Sequence, residues 1–449
     1  MHIFDEETQR ISDEIGAYVD LRLRMDPVAL DHPKTFKEIS ELAGQTITAH
    51  GLGGSAALKL FTDVLAPACI STDHPRYLAF IPTAPTELSS LFDLVVGASG
   101  IYGGSWLEGA GAVYAENQAL AWIAGLAGFP ESSGGVFMQG GTIGNLSALV
   151  TARESARKKF GNNHRWVLLV SESAHSSIAS AARVMDVDIV QCAIDDSGRL
   201  TGDSVREAVK SLSGNQRAFA VVATSGSTNL GTIDDLTSIA DAAEAAGLWF
   251  HVDGAYGAAA LAAPSTRALF NGIERADSFI VDPHKWFFAP FDACALIYKN
   301  PDLGKQAHTQ EAGYLKSLQE PDVWNPSDFG IQLSRRPRGL PFWYSLASHG
   351  TDKYVESVER TLEVARDAAR LVEECAVTEV VYPPSLSIVA FRRIGWSPEQ
   401  YKKWSDQLLA DQIGFVTPST HQGETILRFA IVNPRTTKED IATILATLA

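Results

Sequence analysis

Apolar residues fall into two alternating rhythms along this chain. From about residue 115 to 300, helical spacing is broken repeatedly by short apolar runs: Val136–Met138, Trp166–Val170, Ala218–Ala223, Leu248–Val252, Ser278–Val281 and Ala293–Tyr298. Runs of this length between amphipathic helices predict βα units whose strands form a mostly parallel sheet, buried on both faces. Upstream, residues 1 to about 64 read as helices with polar breaks. A Pro-rich stretch from Pro67 through His74-Pro75 to Pro85 reads as a crossing segment whose aromatics need burial. Beyond about residue 340 the order changes to a long helical pattern, Thr351–Glu374, an apolar strand, Leu386–Phe391, a helix, and two further strands, Gly414–Thr417 and Ile426–Ile431. The expected organisation is an N-terminal helical segment (1–64), a large α/β domain (65–340) and a small C-terminal α+β domain (341–449). No internal repeat or low-complexity tract interrupts it.

Composition narrows the setting. A chain of 449 residues with 45% hydrophobic content is long enough for a large globular domain with smaller attachments. Cys69, Cys192, Cys294 and Cys375 are scattered without CxxC pairs or zinc-like spacing, so neither a disulfide framework nor a metal site is expected, and a reducing cytoplasm is the default. The start, MHIFDEETQRISDEIG, is acidic and lacks the features of a signal peptide, and no run approaches the roughly 18 apolar residues of a membrane span. The expectation is a soluble, unprocessed protein. A formal charge of −16 argues against a nucleic-acid or anionic-membrane surface.

Ligands of an open parallel sheet sit beyond the carboxyl ends of its strands, so the polar residues following each apolar run carry the chemical information. Trp166–Val170 leads into Ser-Glu-Ser-Ala-His175, an imidazole placed to stack on a flat ring; alone it is more often an ordinary loop histidine. Leu248–Val252 ends in Asp253, followed by Gly254-Ala255-Tyr256-Gly257. A carboxylate there can keep a pyridine nitrogen protonated, making the ring an electron sink; the plain alternative is a helix cap. Ser278–Val281 delivers Asp282-Pro283-His284-Lys285-Trp286, and a partly desolvated lysine is an imine-forming nucleophile. Val136–Met138 opens into Gln139-Gly140-Gly141-Thr142-Ile143-Gly144-Asn145 before a helix, where backbone N–H groups and the Thr142 hydroxyl make a phosphate cradle. Each signal is weak by itself. A cradle, a stacking imidazole, a carboxylate and a lysine in this order together point to pyridoxal phosphate held through Lys285.

These residues resemble the pyridoxal-phosphate group II decarboxylases, whose members include aromatic-L-amino-acid, histidine and glutamate decarboxylases. His74-Pro-Arg-Tyr-Leu-Ala-Phe-Ile-Pro-Thr83 is similar to the family's HPxFxAxxPT stretch, and Trp106 and Glu116 continue the similarity. SESAHSS, HVDGAYG and His284-Lys285-Trp286 match the ring-stacking histidine, the pyridine-nitrogen aspartate with the small residue under the ring, and the lysine motif. The resemblance implies fold type I, with a mainly parallel seven-stranded sheet in an obligate homodimer whose active site lies at the interface, reached by Ile101–Trp106 of the neighbour. It implies Lys285, His175 and Asp253 as catalytic. Gly141, Thr142, His175, Ser227, Asp253, Ala255, His284 and Lys285 would contact cofactor, and Phe80, Pro82, Thr83, Tyr102, Trp106 and Arg428 substrate. The implied reaction is decarboxylation of an L-amino acid, with the aromatic lining leaning towards an aromatic or apolar side chain.

Three departures stand out. Asp282 replaces an asparagine common in relatives and is a poor neighbour for phosphate. Gly104 stands where the aromatic relatives have a bulkier ring. The stretch Ser317–Ser334, SLQEPDVWNPSDFGIQLS, lacks the tyrosine that relatives carry in a mobile loop to protonate the carbanion, and instead has Pro326 with Trp324 and Phe329 nearby. An aldehyde-forming or transaminating reaction on the same fold is therefore the alternative, and a non-catalytic cofactor-binding protein a more distant one.

Overall fold

The structure, a computed structural model, describes residues 2–310 and 323–449. Seven strands form the central sheet: β1 (Gly134–Met138), β2 (Arg165–Ser171), β3 (Asp188–Cys192), β4 (Gln216–Thr224), β5 (Trp249–Asp253), β6 (Ser278–Val281) and β7 (Cys294–Tyr298). Their spatial order is β1-β7-β6-β5-β4-β2-β3, and β7 runs antiparallel to both neighbours while the other pairings are parallel. Alternate residues feed opposite faces. Phe137, Leu169, Val221, Phe250, Val252, Phe279 and Ile297 join one core cluster, whereas Val136, Leu168, Val222, Trp249, Ile280 and Leu296 join the other. Double burial is what made the apolar runs continuous.

The six strands expected for this sheet are present, with no end shifted by more than two residues. The strand that escaped is β3, whose sequence, Asp-Ile-Val-Gln-Cys, sits at the sheet edge and is only partly buried. An edge strand is wet along one side and needs no unbroken apolar run.

A second, four-stranded sheet in the order β10-β11-β9-β8 contains β8 (Thr378–Tyr382), β9 (Ile388–Arg393), β10 (Ser419–His421) and β11 (Glu424–Ala430). The helix Thr351–Glu374 has the predicted bounds. β8, another edge strand, was not foreseen. The strand expected at Gly414–Thr417 does not join this sheet; Phe415 makes an isolated bridge to Tyr77. The reason lies in the Pro-rich crossing segment: Leu78 N donates to Phe415 O, Phe415 N to Arg76 O and Ala430 N to Leu78 O, each at 2.9 Å. Leu78 is wholly buried among the side chains of this second unit. The N-terminal helices Glu6–Leu23, Phe36–Ala43 and Gly54–Leu60 contain no buried residue.

Candidate active site

The carboxyl ends of β1, β4, β5 and β6 enclose a cavity of about 330 Å³, within the range of small-molecule sites. Gly141, Thr142, His175, Asp253, Ala255, His284 and Lys285 all line it. Ser227 does not. It is buried one wall away, beside an adjoining cavity of about 1140 Å³, with its hydroxyl 2.7 Å from Thr232 Oγ1; Thr228 lines both cavities in its stead, as does His175.

Local sequence explains the placement. β1 ends at Met138 and two residues on comes Gly140, whose φ of 97° a side chain would strain, and the helix Gly141–Phe160 begins without a side-chain cap. Of its first N–H groups, that of Gly141 goes to Asp282 and that of Ile143 to Gly140 O, so among the described residues the Thr142 N–H is the one left for a ligand. Gly141 is tightly hemmed in: a Cβ there would lie 3.1 to 3.2 Å from Asp282, Ala255 and Ile280, close enough that these neighbours would have to give way by a few tenths of an ångström. Lys285 rides on a single helical turn, Pro283–Trp286. Trp286 anchors that turn by stacking on Tyr256, with centroids 5.1 Å apart, and by donating its indole N–H to Thr361 Oγ1 at 2.8 Å. His284 is turned into the wall, donating from Nδ1 to Ala293 O at 2.7 Å.

Two carboxylates face the cavity. Asp253 accepts from Ala255 N (Oδ1, 3.1 Å) and from Asn145 Nδ2 (Oδ2, 2.9 Å). Asp282 Oδ2 lies 3.1 Å from Lys285 Nζ and accepts from Gly141 N at 3.2 Å, while its buried Oδ1 has no hydrogen-bond partner among the described residues. Desolvation was expected to ease loss of the lysine proton. Burial does pull the Lys285 ammonium down, but the charge of Asp282, then that of Asp253, and the Asp282 hydrogen bond outweigh it and hold its pKa above the ordinary lysine value.

These residues fit pyridoxal phosphate. An uncapped helix start suits the phosphate, Asp253 the ring nitrogen, Ala255 and His175 the two ring faces, and Lys285 the aldehyde. A buried hydroxyl without a partner, Thr224 Oγ1, belongs to a residue of the same cavity wall.

Comparison with known proteins agrees. Residues 54–394 match the pyridoxal-dependent decarboxylase conserved domain. The chain belongs to the pyridoxal-dependent decarboxylase family. Pyridoxal phosphate is its cofactor, and it is a carboxy-lyase acting on amino acids. An aromatic-L-amino-acid decarboxylase of Bacillus atrophaeus is 30% identical over 392 residues, covering 83% of this chain and 80% of the relative. A phenylacetaldehyde synthase of Arabidopsis thaliana is 28% identical over 399 residues, covering 84% and 81%. In fold, the crystal structure of Oryza sativa TDC with PLP and tryptamine matches with a TM-score of 0.89 at 23% identity, covering 98% of this chain and 96% of that one.

The residues expected to contact substrate do not converge on the cavity of this decarboxylase within one chain: none of Phe80, Pro82, Thr83, Tyr102, Trp106 and Arg428 lines either cavity. Pro82 is buried, Thr83 donates to Ala289 O at 2.8 Å, and Arg428 donates to Phe80 O at 2.7 Å, its pKa pushed down to about 10 by burial. Phe80 and Trp106 are exposed. The Tyr102 ring takes the space that Gly104 leaves: a Cβ on Gly104 would meet its Cζ at 2.5 Å, and its hydroxyl donates to Leu333 O.

Of the tyrosine-free stretch, residues 317–322 lie outside the described residues. Trp324 stacks on Phe329 at 4.1 Å and covers Gly134 of β1, and Pro326 is buried; none of the three lines the cavity. Tyr256 does line it, but its hydroxyl is engaged with Ser387 Oγ at 2.6 Å and burial raises its pKa well above the ordinary value.

Sequence reading missed Asn145, Ser177 and His251, which hold the site from behind. A signal existed for His251: a histidine inside a wholly buried strand, two residues before Asp253, needs polar partners.

Proposed function

We propose that this decarboxylase acts on an L-amino acid with an aromatic or apolar side chain, works as a homodimer in the cytoplasm, and uses Lys285, Asp253 and His175 as its catalytic residues. The observation that carries the assignment is the convergence of these three, from three separate strand exits, on one cavity. The bound cofactor supplies an electron sink for the pair left when carbon dioxide departs. Asp253 would hold a proton at the ring nitrogen, Lys285 would provide the amine that anchors and releases substrate, and His175, which lines the same cavity, would orient the substrate by donating a hydrogen bond.

Charge supports the substrate class. The wider cavity is lined by Glu172, Asp195, Asp196 and Glu424, and its guanidinium, Arg392, is already paired with Glu379 and Glu424. An acidic side chain would meet repulsion there. The dimer is supported by the N-terminal helices, which expose Leu21, Phe36 and Leu42, and by Phe80 and Trp106, surface residues that a second copy would cover. Free thiols throughout, two of them buried, suit a reducing compartment.

Incubation with single L-amino acids, with amine and carbon dioxide both measured, tests the reading. Aromatic substrates are expected to give equal amounts of the two, and glutamate neither. Preferred consumption of glutamate or aspartate overturns the substrate class. The absence of tyrosine from residues 317–334 favours a second outcome, in which amino acid, oxygen and water give aldehyde, carbon dioxide, ammonia and hydrogen peroxide. Oxygen uptake matching substrate loss distinguishes it.

A further inference from the structure

A continuous hydrogen-bond chain runs beneath the cavity, and its two ends fix the direction of every link. Trp249 Nε1, which can only donate, gives to Ser278 Oγ at 2.8 Å. The Ser278 hydroxyl proton is then free for His251 Nδ1, also at 2.8 Å, which leaves the His251 proton on Nε2, donated to Asn145 Oδ1 at 2.9 Å. With its oxygen so engaged, the Asn145 amide turns both hydrogens towards the site: one to Asp253 Oδ2 at 2.9 Å, the other to Ser177 Oγ at 3.1 Å. Asp253, an acceptor only, demands the same orientation from the opposite end. Ser177 Oγ, having accepted, donates its own proton to His175 Nδ1 at 2.9 Å, and Ser177 N donates to the same nitrogen at 3.2 Å. The sole remaining position for the proton of a neutral His175 is Nε2, which has no hydrogen bond to any described residue, in a ring that lines both cavities. Burial pushes His251 down to about 4, so the central link stays neutral.

We propose that Asn145 is the positioning residue of this decarboxylase: through its single amide it orients Asp253 and, by way of Ser177, holds His175 as the Nε2–H tautomer with that N–H presented to the substrate. His175 therefore enters the reaction as a hydrogen-bond donor and not as a base. The inference rests on the catalytic roles proposed above, but its first test does not need them. In apoprotein labelled with ¹⁵N-histidine, at about pH 8, where free imidazole is neutral, His175 is expected to show a protonated Nε2 and an unprotonated Nδ1. Asn145→Ala is expected to mix the two tautomers and, in the holoenzyme, to move the midpoint of the cofactor's absorbance-against-pH curve by about one unit or more. Ser177→Ala, which removes the hydroxyl donor but keeps the backbone N–H at His175 Nδ1, is expected to mix the His175 tautomers in part while leaving the His251 signals in place, and stands in if Asn145→Ala does not fold. A wild-type His175 protonated at Nδ1 overturns the proposal. So does a folded Asn145→Ala or Ser177→Ala protein whose His175 signals match wild type. Intact tautomer results from an enzyme that decarboxylates no amino acid would leave the positioning network standing and remove the proposed function instead.

Discussion

The two ends of the cofactor cavity are built on opposite plans. At the Asp253 end both carboxylate oxygens are satisfied by fixed donors, Ala255 N–H and Asn145 Nδ2, and the partners behind them are themselves buried and paired. At the Asp282 end one oxygen is shared between Lys285 and Gly141 and the other is buried without a hydrogen-bond partner among the described residues. The first end is complete before anything binds, as a group aimed at a ring nitrogen must be if it is to cost no reorganisation. The second places a carboxylate beside the helix start proposed for the phosphate, with one of its oxygens lacking a hydrogen-bond partner among the described residues.

The strongest way to break this comparison is to remove the lysine that lies between the two ends. Lys285→Ala is expected to abolish covalent attachment, seen as loss of the cofactor's visible band after gel filtration, and to cut turnover by roughly 10³-fold or more. Next in size is Asp253→Asn, which keeps shape and removes charge: kcat is expected to fall by roughly 10²- to 10³-fold with little change in KM, because the loss falls on the charge developed in the transition state. If Asp282→Asn gave the larger loss of the two, the assignment of the two ends would be reversed.

Asp282→Asn is expected to be milder and to act in the opposite sense on capture of the cofactor. Asp282 raises the Lys285 pKa, so its neutralisation lets the amine lose its proton at lower pH. It also removes a charge from beside the phosphate. Rapid-mixing absorbance at pH 7 should show pyridoxal phosphate attaching faster than to wild type, since a larger share of the amine is unprotonated. The smallest effect is on stability. The folded-state pKa of His251 is lowered from 6.5 to about 4 by burial, so the unfolded chain binds more protons between those values, and stability is lost as pH falls through that window. The contribution at stake is roughly 3 kcal/mol. Urea titrations at pH 7 and pH 4.5 on the apoprotein and on a His251→Gln variant would measure it, the variant separating it from His74, which burial also lowers to about 4.

The sequence made legible what burial on two faces and strand-exit chemistry dictate. Six central strands, the helix Thr351–Glu374, and Gly141, Thr142, His175, Asp253, Ala255, His284 and Lys285 in one cavity could all be read from apolar runs and the residues after them. β3 and β8 could not, because both are edge strands with no need of an apolar run. Asn145 was hidden for another reason. Its role depends on a sheet register that sets it beside His251 and Asp253, more than 100 residues away, and an asparagine in a helix's first turn has many uses. The inward turn of Ser227 was illegible because Thr232, its partner, lies in the same loop, and loop conformation follows no apolar period.

The stacked pair of Tyr256 and Trp286 sits under the lysine, and both rings send their polar atoms into the second unit of the protein, Trp286 to Thr361 and Tyr256 to Ser387. Tyr354, Val358, Leu362 and Ile388 from that unit share one apolar cluster with the central sheet. Opening the helix Thr351–Glu374 therefore withdraws the support of the lysine turn at the same moment. Partial unfolding of the C-terminal region and loss of the yellow colour are expected to be one cooperative event, so the bound chromophore itself reports on the integrity of a region that never touches it.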